Sequence, residues 1–184
     1  MRIQAITTLY FSPTGGTRRA TVAVARAMAA ALAVPMQTVD ITRRSNRQQA
    51  RCFREDDLVI VGMPTYAGRL PNKIAPDLRD CLQGRRTPAV AVVTFGNRAY
   101  DNAPAELCAL LEAEGFRPFG ALAQPCRHAF SDRLAPGRPD AADLAALADF
   151  GRQLAARLQR GDLPQVAVPG DPDAPYYVPR GTDG

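Results

Sequence analysis

Three hydroxyl side chains and two adjacent glycines fall within one short stretch, Ser12-Pro13-Thr14-Gly15-Gly16-Thr17, directly after an apolar run. Hydroxyls donate hydrogen bonds and glycines let a backbone approach closely, so such a stretch suits an anion. If it opens a helix, the unpaired N–H groups of the first turn and the positive end of the helix dipole add to the attraction. A phosphate is the expected ligand. The phosphate loop of nucleotide-hydrolysing proteins needs a lysine before its last hydroxyl residue, and none is present. The G-x-G-x-x-G of dinucleotide-binding sheets is also missing. A phosphate monoester held by neutral donors fits what remains.

The elements that must position this stretch follow from the apolar pattern. Ile3–Phe11, Met36–Ile41, Leu58–Met63 and Ala89–Phe95 predict strands, and Phe116–Ala123 predicts a weaker one, interrupted by Pro118 and Gly120. LVIVGM and AVAVVTF are near-continuous and rich in β-branched residues, as strands buried on both faces of a parallel sheet are. Thr17–Ala33, Asn102–Glu114 and Asp140–Arg160 predict helices, the last with Asp140 as N-cap, and a short helix is expected around Leu78–Leu82. Alternating strands and helices predict a doubly wound α/β sheet. Right-handed crossovers then bring the C-terminal ends of all strands to one edge, where ligands bind. Ser12–Thr17, Pro64–Pro71 and Gly96–Asp101 all leave that edge.

Composition narrows the classes. The chain has 184 residues, 46% of them hydrophobic and 22% charged, which fits one globular domain, 1–162, and a Pro/Gly-rich tail, 163–184. Cys52, Cys81, Cys108 and Cys126 form no C-x-x-C pair. No metal site is expected, only reduced thiols, at least two of them buried. No apolar run approaches the roughly 20 residues that span a bilayer. The N-terminus lacks the pattern of a secretion signal, so a cytoplasmic location is expected. The formal charge is +5 and Lys73 is the single lysine. The densest basic run, Arg43-Arg44-Ser45-Asn46-Arg47, has no interleaved aromatics and reads as a solvated loop, with no nucleic-acid or membrane partner expected.

The strand–S-x-T-G-x-T–helix arrangement resembles the FMN phosphate loop of the flavodoxin family. Pro64-Thr65-Tyr66-Ala67-Gly68-Arg69-Leu70-Pro71 and Phe95-Gly96-Asn97-Arg98-Ala99-Tyr100-Asp101 take the places of its two flavin-flanking loops. Together with YFSPTG they are most similar to the flavodoxin-like half of bacterial flavodoxin–ferredoxin fusion proteins, over residues 3–160 and without the ferredoxin part. The resemblance implies a five-stranded parallel sheet in the order 2-1-3-4-5 and FMN as cofactor. Ser12, Thr14, Gly15, Gly16 and Thr17 would hold its phosphate. Pro64, Thr65, Tyr66, Ala67 and Gly68 would border the isoalloxazine on one side. Phe95, Gly96, Asn97, Arg98, Tyr100 and Asp101 would border it on the other. A peptide beside Gly68 would be free to turn over, which glycine permits. The implied role is electron transfer between a reductase and a partner redox enzyme. The alternative is an FMN-dependent NAD(P)H or quinone-type reductase acting directly on a small molecule, with Arg69, Arg98 or His128 contacting substrate. His128, the sole histidine, is also a candidate proton relay. A third reading, a binding module without redox chemistry, conflicts with the intact hydroxyl and glycine set. The family is commonly acidic, whereas this chain is basic.

Overall fold

The structure, a computed structural model, describes residues 2–176. Its elements in chain order are β1 (Ala5–Tyr10), α1 (Gly16–Leu32), β2 (Met36–Asp40), α2 (Arg44–Arg47), β3 (Arg51–Phe53), β4 (Asp57–Pro64), α3 (Ala75–Cys81), β5 (Leu82–Gly84), β6 (Thr87–Phe95), α4 (Ala103–Ala113), β7 (Phe116–Pro125) and α5 (Ala141–Gln159). Five strands pair in parallel in the order β2-β1-β4-β6-β7. With β3 and β5 set aside, this is the expected 2-1-3-4-5 order. β3 and β5 make a separate two-stranded parallel sheet that no sequence pattern announced.

Alternation along the central strands feeds two cores. Leu58 and Ile60 of β4, with Val90 and Val92 of β6, face α1 and α5 through Val24, Met28, Leu147 and Leu154. Val59, Val61 and Met63, with Ala91 and Val93, face α3 and α4 through Leu78, Leu107 and Leu110. Glycine decides how closely α1 lies on its neighbours. A Cβ on Gly62 of β4 would stand 2.0 Å from Thr21 Oγ1, and one on Gly151 of α5 would stand 2.6 Å from the Val24 carbonyl oxygen.

β7 runs for ten residues through Pro118 and Gly120. Its register to β6 slips between Ala89 and Val90, so Phe119 is bulged out between Pro118 and Gly120. A bulge on an edge strand tolerates both residues. α5 starts on the expected cap: Asp140 accepts from the Asp143 N–H while the Asp143 carboxylate accepts from the Asp140 N–H. The short third helix begins earlier than expected, and Leu82 opens β5 instead of ending that helix.

The basic run does not form a wholly solvated loop. It winds into α2, and Arg47 folds back, donating to Asp77 and to the Ile41 and Thr42 carbonyls, with its guanidinium 5.9 Å from the Phe11 ring centroid. All four cysteines are free thiols, three of them buried. No helix among the described residues is long and apolar enough to cross a membrane. Past α5, residues 163–176 carry no helix or strand, and Val166 and Val168 rest against the α3/α4 core.

Candidate functional site

The turn after β1 is shaped by Gly15, whose φ of 84° is left-handed and open only to a residue without a Cβ penalty. Ser12 Oγ accepts from the Arg18 N–H at 2.9 Å, and the Ser12 N–H is held by Thr42 Oγ1. The N–H groups of Thr14, Gly16 and Thr17 take no acceptor among the described residues. They open the long helix α1, whose first turn holds no acidic residue and carries Arg18 and Arg19. Two cations at the positive end of a helix are unfavourable, by about 0.3–1 kcal/mol each, unless an anion sits there. Thr17 Oγ1 lies 2.8 Å from Thr94 Oγ1, joining α1 to the end of β6.

Beside this turn a cavity of about 350 Å³ opens at the C-terminal edge of the sheet. Its walls come from the turns after β1, β4, β6 and β7. After β4, Tyr66 and Arg69 exchange both backbone hydrogen bonds across Ala67 and Gly68, whose φ values of 49° and 82° give a tight hairpin of the I′ kind. The Gly68–Arg69 peptide is pinned at both ends, by Asn102 N–H on its carbonyl and by the Tyr66 carbonyl on its N–H. The Ala67–Gly68 peptide is bonded at neither end among the described residues. Thr65 Oγ1 is buried in the wall with no partner. After β7, the His128 imidazole lies against Gly96, where a Cβ would stand 2.3 Å from Cδ2. His128 Nδ1 accepts from the Phe130 N–H, so Nε2 carries the ring proton of the neutral imidazole.

The cavity gathers Thr14, Gly16, Thr17, Pro64, Thr65, Tyr66, Ala67, Phe95, Gly96 and His128 from among the expected site residues. Ser12 and Gly15 shape the first turn without lining the cavity. Gly68, in the hairpin turn, does not line the cavity, and Asp101 presses on it: a Cβ there would meet Asp101 Oδ2 at 2.7 Å. Asn97 and Arg98 point to solvent. Tyr100 packs edge-on to Phe95, ring centroids 5.5 Å apart, and against the α3/α4 core. Arg69 is buried in an ion pair with Glu106 and is not among the lining residues. Pro13, Thr94, Cys126, Arg127, Ala129 and Phe130 line the cavity without having been singled out. The signal available was topological, since β7 ends at the same edge as the other strands. Burial pushes the Cys126 thiol up to about 12, so it is a neutral wall and not a nucleophile. A larger hollow of about 420 Å³ lies at the opposite edge, and its lining holds no hydroxyl, thiol or carboxylate.

No protein-family model matches the chain, and no curated protein matches it. Solved structures do. A flavodoxin from the domain Archaea aligns at 14% identity and TM-score 0.57, over 85% of this chain and 99% of its own. The flavodoxin of Streptococcus pneumoniae TIGR4 aligns at 20% identity and TM-score 0.57, over 83% of this chain and 99% of its own. The fold is flavodoxin-like. Rubredoxin oxygen:oxidoreductase from Desulfovibrio gigas shares it at 17% identity and TM-score 0.55, over 86% of this chain and 37% of that one.

In this flavodoxin-like fold the cavity has two chemical characters. The turn after β1 presents three N–H groups without acceptors among the described residues, fitting a phosphate group. The Tyr66 and Phe130 side chains and the backbone of Ala67 and Gly96 offer mostly apolar surface, with Thr65, Thr94, Arg127 and His128 as the polar side chains beside it. A small planar molecule bearing a phosphate satisfies both. Among the described residues no group of three His, Cys, Asp or Glu side chains is placed to hold a metal.

Proposed function

We propose that this chain binds FMN and passes electrons between a reductase and a partner redox enzyme, as a cytoplasmic carrier with its cofactor domain at 1–162 and a tail at 163–184. The observation that carries this reading is the free donor set: three unpaired N–H groups and an orphaned, buried Thr65 hydroxyl around one cavity. A buried hydroxyl without a partner costs about 1–3 kcal/mol, and a bound flavin would supply its acceptor. When bound, FMN supplies the redox chemistry.

The chain's own residues do the rest. Thr14, Gly16 and Thr17 hold the phosphate through their N–H groups, with the Thr14 hydroxyl as a further donor, while Ser12 Oγ fixes the turn by accepting the Arg18 N–H. Tyr66 covers the ring and excludes water from it, while Phe130 stands at the mouth. The Ala67–Gly68 peptide, bonded at neither end among the described residues, is free to reorient toward a ring nitrogen. No cluster of charged side chains fills the cavity to grip a second substrate, which favours the carrier over the small-molecule reductase. His128 Nε2–H is the group through which the reductase reading would operate. Reconstitution with FMN, followed by turnover of NAD(P)H with a quinone acceptor, separates the two: the carrier binds FMN and shows no turnover alone.

A further inference from the structure

The mouth of the cavity carries exposed apolar side chains. Among the described residues four large hydrophobic side chains are exposed; two of them, Tyr66 and Phe130, line this mouth, and a third, Leu134, lies in the Phe130 loop, its carbonyl accepting the His128 N–H. Phe130 is 95% exposed. It is not on a frayed end. Arg127 N–H bonds to the Arg138 carbonyl, His128 N–H to the Leu134 carbonyl, and Arg138 N–H to the Ala135 carbonyl. The base of this loop is clamped to α5 by the Arg138–Asp143 ion pair. An ordered loop thus holds a phenyl ring in water, forgoing the gain that burying it would bring.

Charge is segregated to the same edge. The connections after the five sheet strands, 11–19, 41–50, 65–74, 96–102 and 126–140, carry eleven Arg or Lys and three Asp. The rest of the chain carries twelve cations and fifteen anions, so it is net negative. Among the described residues Arg18, Arg19, Arg43, Arg44, Arg98 and Arg133 have no carboxylate within ion-pair distance. An apolar centre inside a charged rim is how protein–protein contacts are built.

We propose that this face, centred on Phe130 and Leu134 and rimmed by Arg98 and Arg133, docks an acidic protein. Leu134 offers nothing to a base or a phosphate, which disfavours a nucleic acid. Asp132 stands 89% exposed between Phe130 and Leu134, so inserting this loop into a membrane would bury a carboxylate. The inference rests on the electron-transfer reading for the class of partner, a redox protein, and assigns the sign of its surface. That sign is opposite to the one an acidic carrier would select.

The test titrates the ¹⁵N-labelled full chain, with and without FMN, with an acidic plant-type [2Fe–2S] ferredoxin at low salt. A short DNA duplex and phosphatidylserine vesicles serve as competing ligands. Ferredoxin is expected to bind with amide shifts centred on 128–134, Tyr66 and Arg98. Binding should weaken about tenfold or more in Phe130→Ser, in Arg98→Glu/Arg133→Glu, and on raising the salt. These side chains are exposed, so the variants keep the fold, which their unshifted core amides verify. No ferredoxin binding, binding indifferent to these variants, or tighter binding of DNA or vesicles overturns the inference. Because binding is read without flavin, a chain that takes up FMN but ignores ferredoxin contradicts the docking face alone. A chain that binds ferredoxin but not FMN supports the face and contradicts the cofactor reading.

Discussion

Arg69 Nε lies 2.8 Å from Glu106 Oε2, in an ion pair whose side chains are 7% and 5% exposed. The same carboxylate oxygen accepts the Leu70 N–H, and the Tyr176 hydroxyl donates to Oε1. Arg69 Nη2 donates to the Pro172 carbonyl, and the guanidinium stacks 4.7 Å from the Tyr176 ring centroid. One buried pair therefore ties the hairpin after β4 to α4 and to the segment after α5. Removing one member of such a pair strands the other charge away from water. Glu106→Ala is expected to lower the unfolding free energy by about 3–5 kcal/mol in urea titration. Tyr176→Phe, which removes one hydroxyl and keeps the stacked ring, should cost about 1 kcal/mol. Similar losses in both variants would show that the pair is not the hub.

The hairpin itself carries a backbone strain that can be read by substitution. Ala67 has a φ of 49° and Gly68 a φ of 82°. Ala67→Gly should raise stability by up to about 1 kcal/mol, the relief of a left-handed alanine less the extra entropy of an unfolded glycine. Gly68→Ala should lower it, because its Cβ would press on Asp101 Oδ2. Thermal melts of the two variants should move in opposite directions.

Asp143 sets a pH dependence. The hydrogen bond from Arg138 holds its carboxyl well below the usual carboxylate range, against the opposing effect of burial. A depressed folded pKa gives stability that is whole above the unfolded value, near 3.9, and is lost as pH falls through the folded one. Wild type should exceed Asp143→Asn by about 1–3 kcal/mol at neutral pH. The gap should hold down to about pH 4 and narrow below it. A gap that widens on acidification would contradict the assignment.

How much of this was legible beforehand depended on whether the determinant was local. β4 and β6 are continuous apolar runs, and Asp140 announces its helix by a side-chain cap, so both were readable. β3 and β5 are three residues each and meet only through a long-range contact, so no period betrays them. β7 was under-read because Pro118 and Gly120 normally break a strand, and the bulge that absorbs them is a tertiary feature. The motifs located the loops but not the side-chain directions. Tyr100 turns into the core against Phe95, and Arg69 turns inward to Glu106. Phe130 belongs to no motif, and only its place after β7 brings it to the site.

The donor set at the start of α1 separates phosphate from ring recognition. Thr14→Val removes one hydroxyl donor at the cavity wall and leaves the backbone N–H groups in place. It is expected to weaken FMN binding by about tenfold, the value of one hydrogen bond to a charged group, and to leave riboflavin binding unchanged. Equal losses for both ligands would place Thr14 against the ring and not the phosphate.

The most direct measurement is the affinity of the flavin-free chain for FMN and for riboflavin, read from quenching of flavin fluorescence. FMN is expected to bind, with its fluorescence quenched by the aromatic walls, and to bind at least about tenfold more tightly than riboflavin, which lacks the phosphate. Failure to take up either flavin, or equal affinity for the two, would contradict the assignment of this cavity as an FMN site.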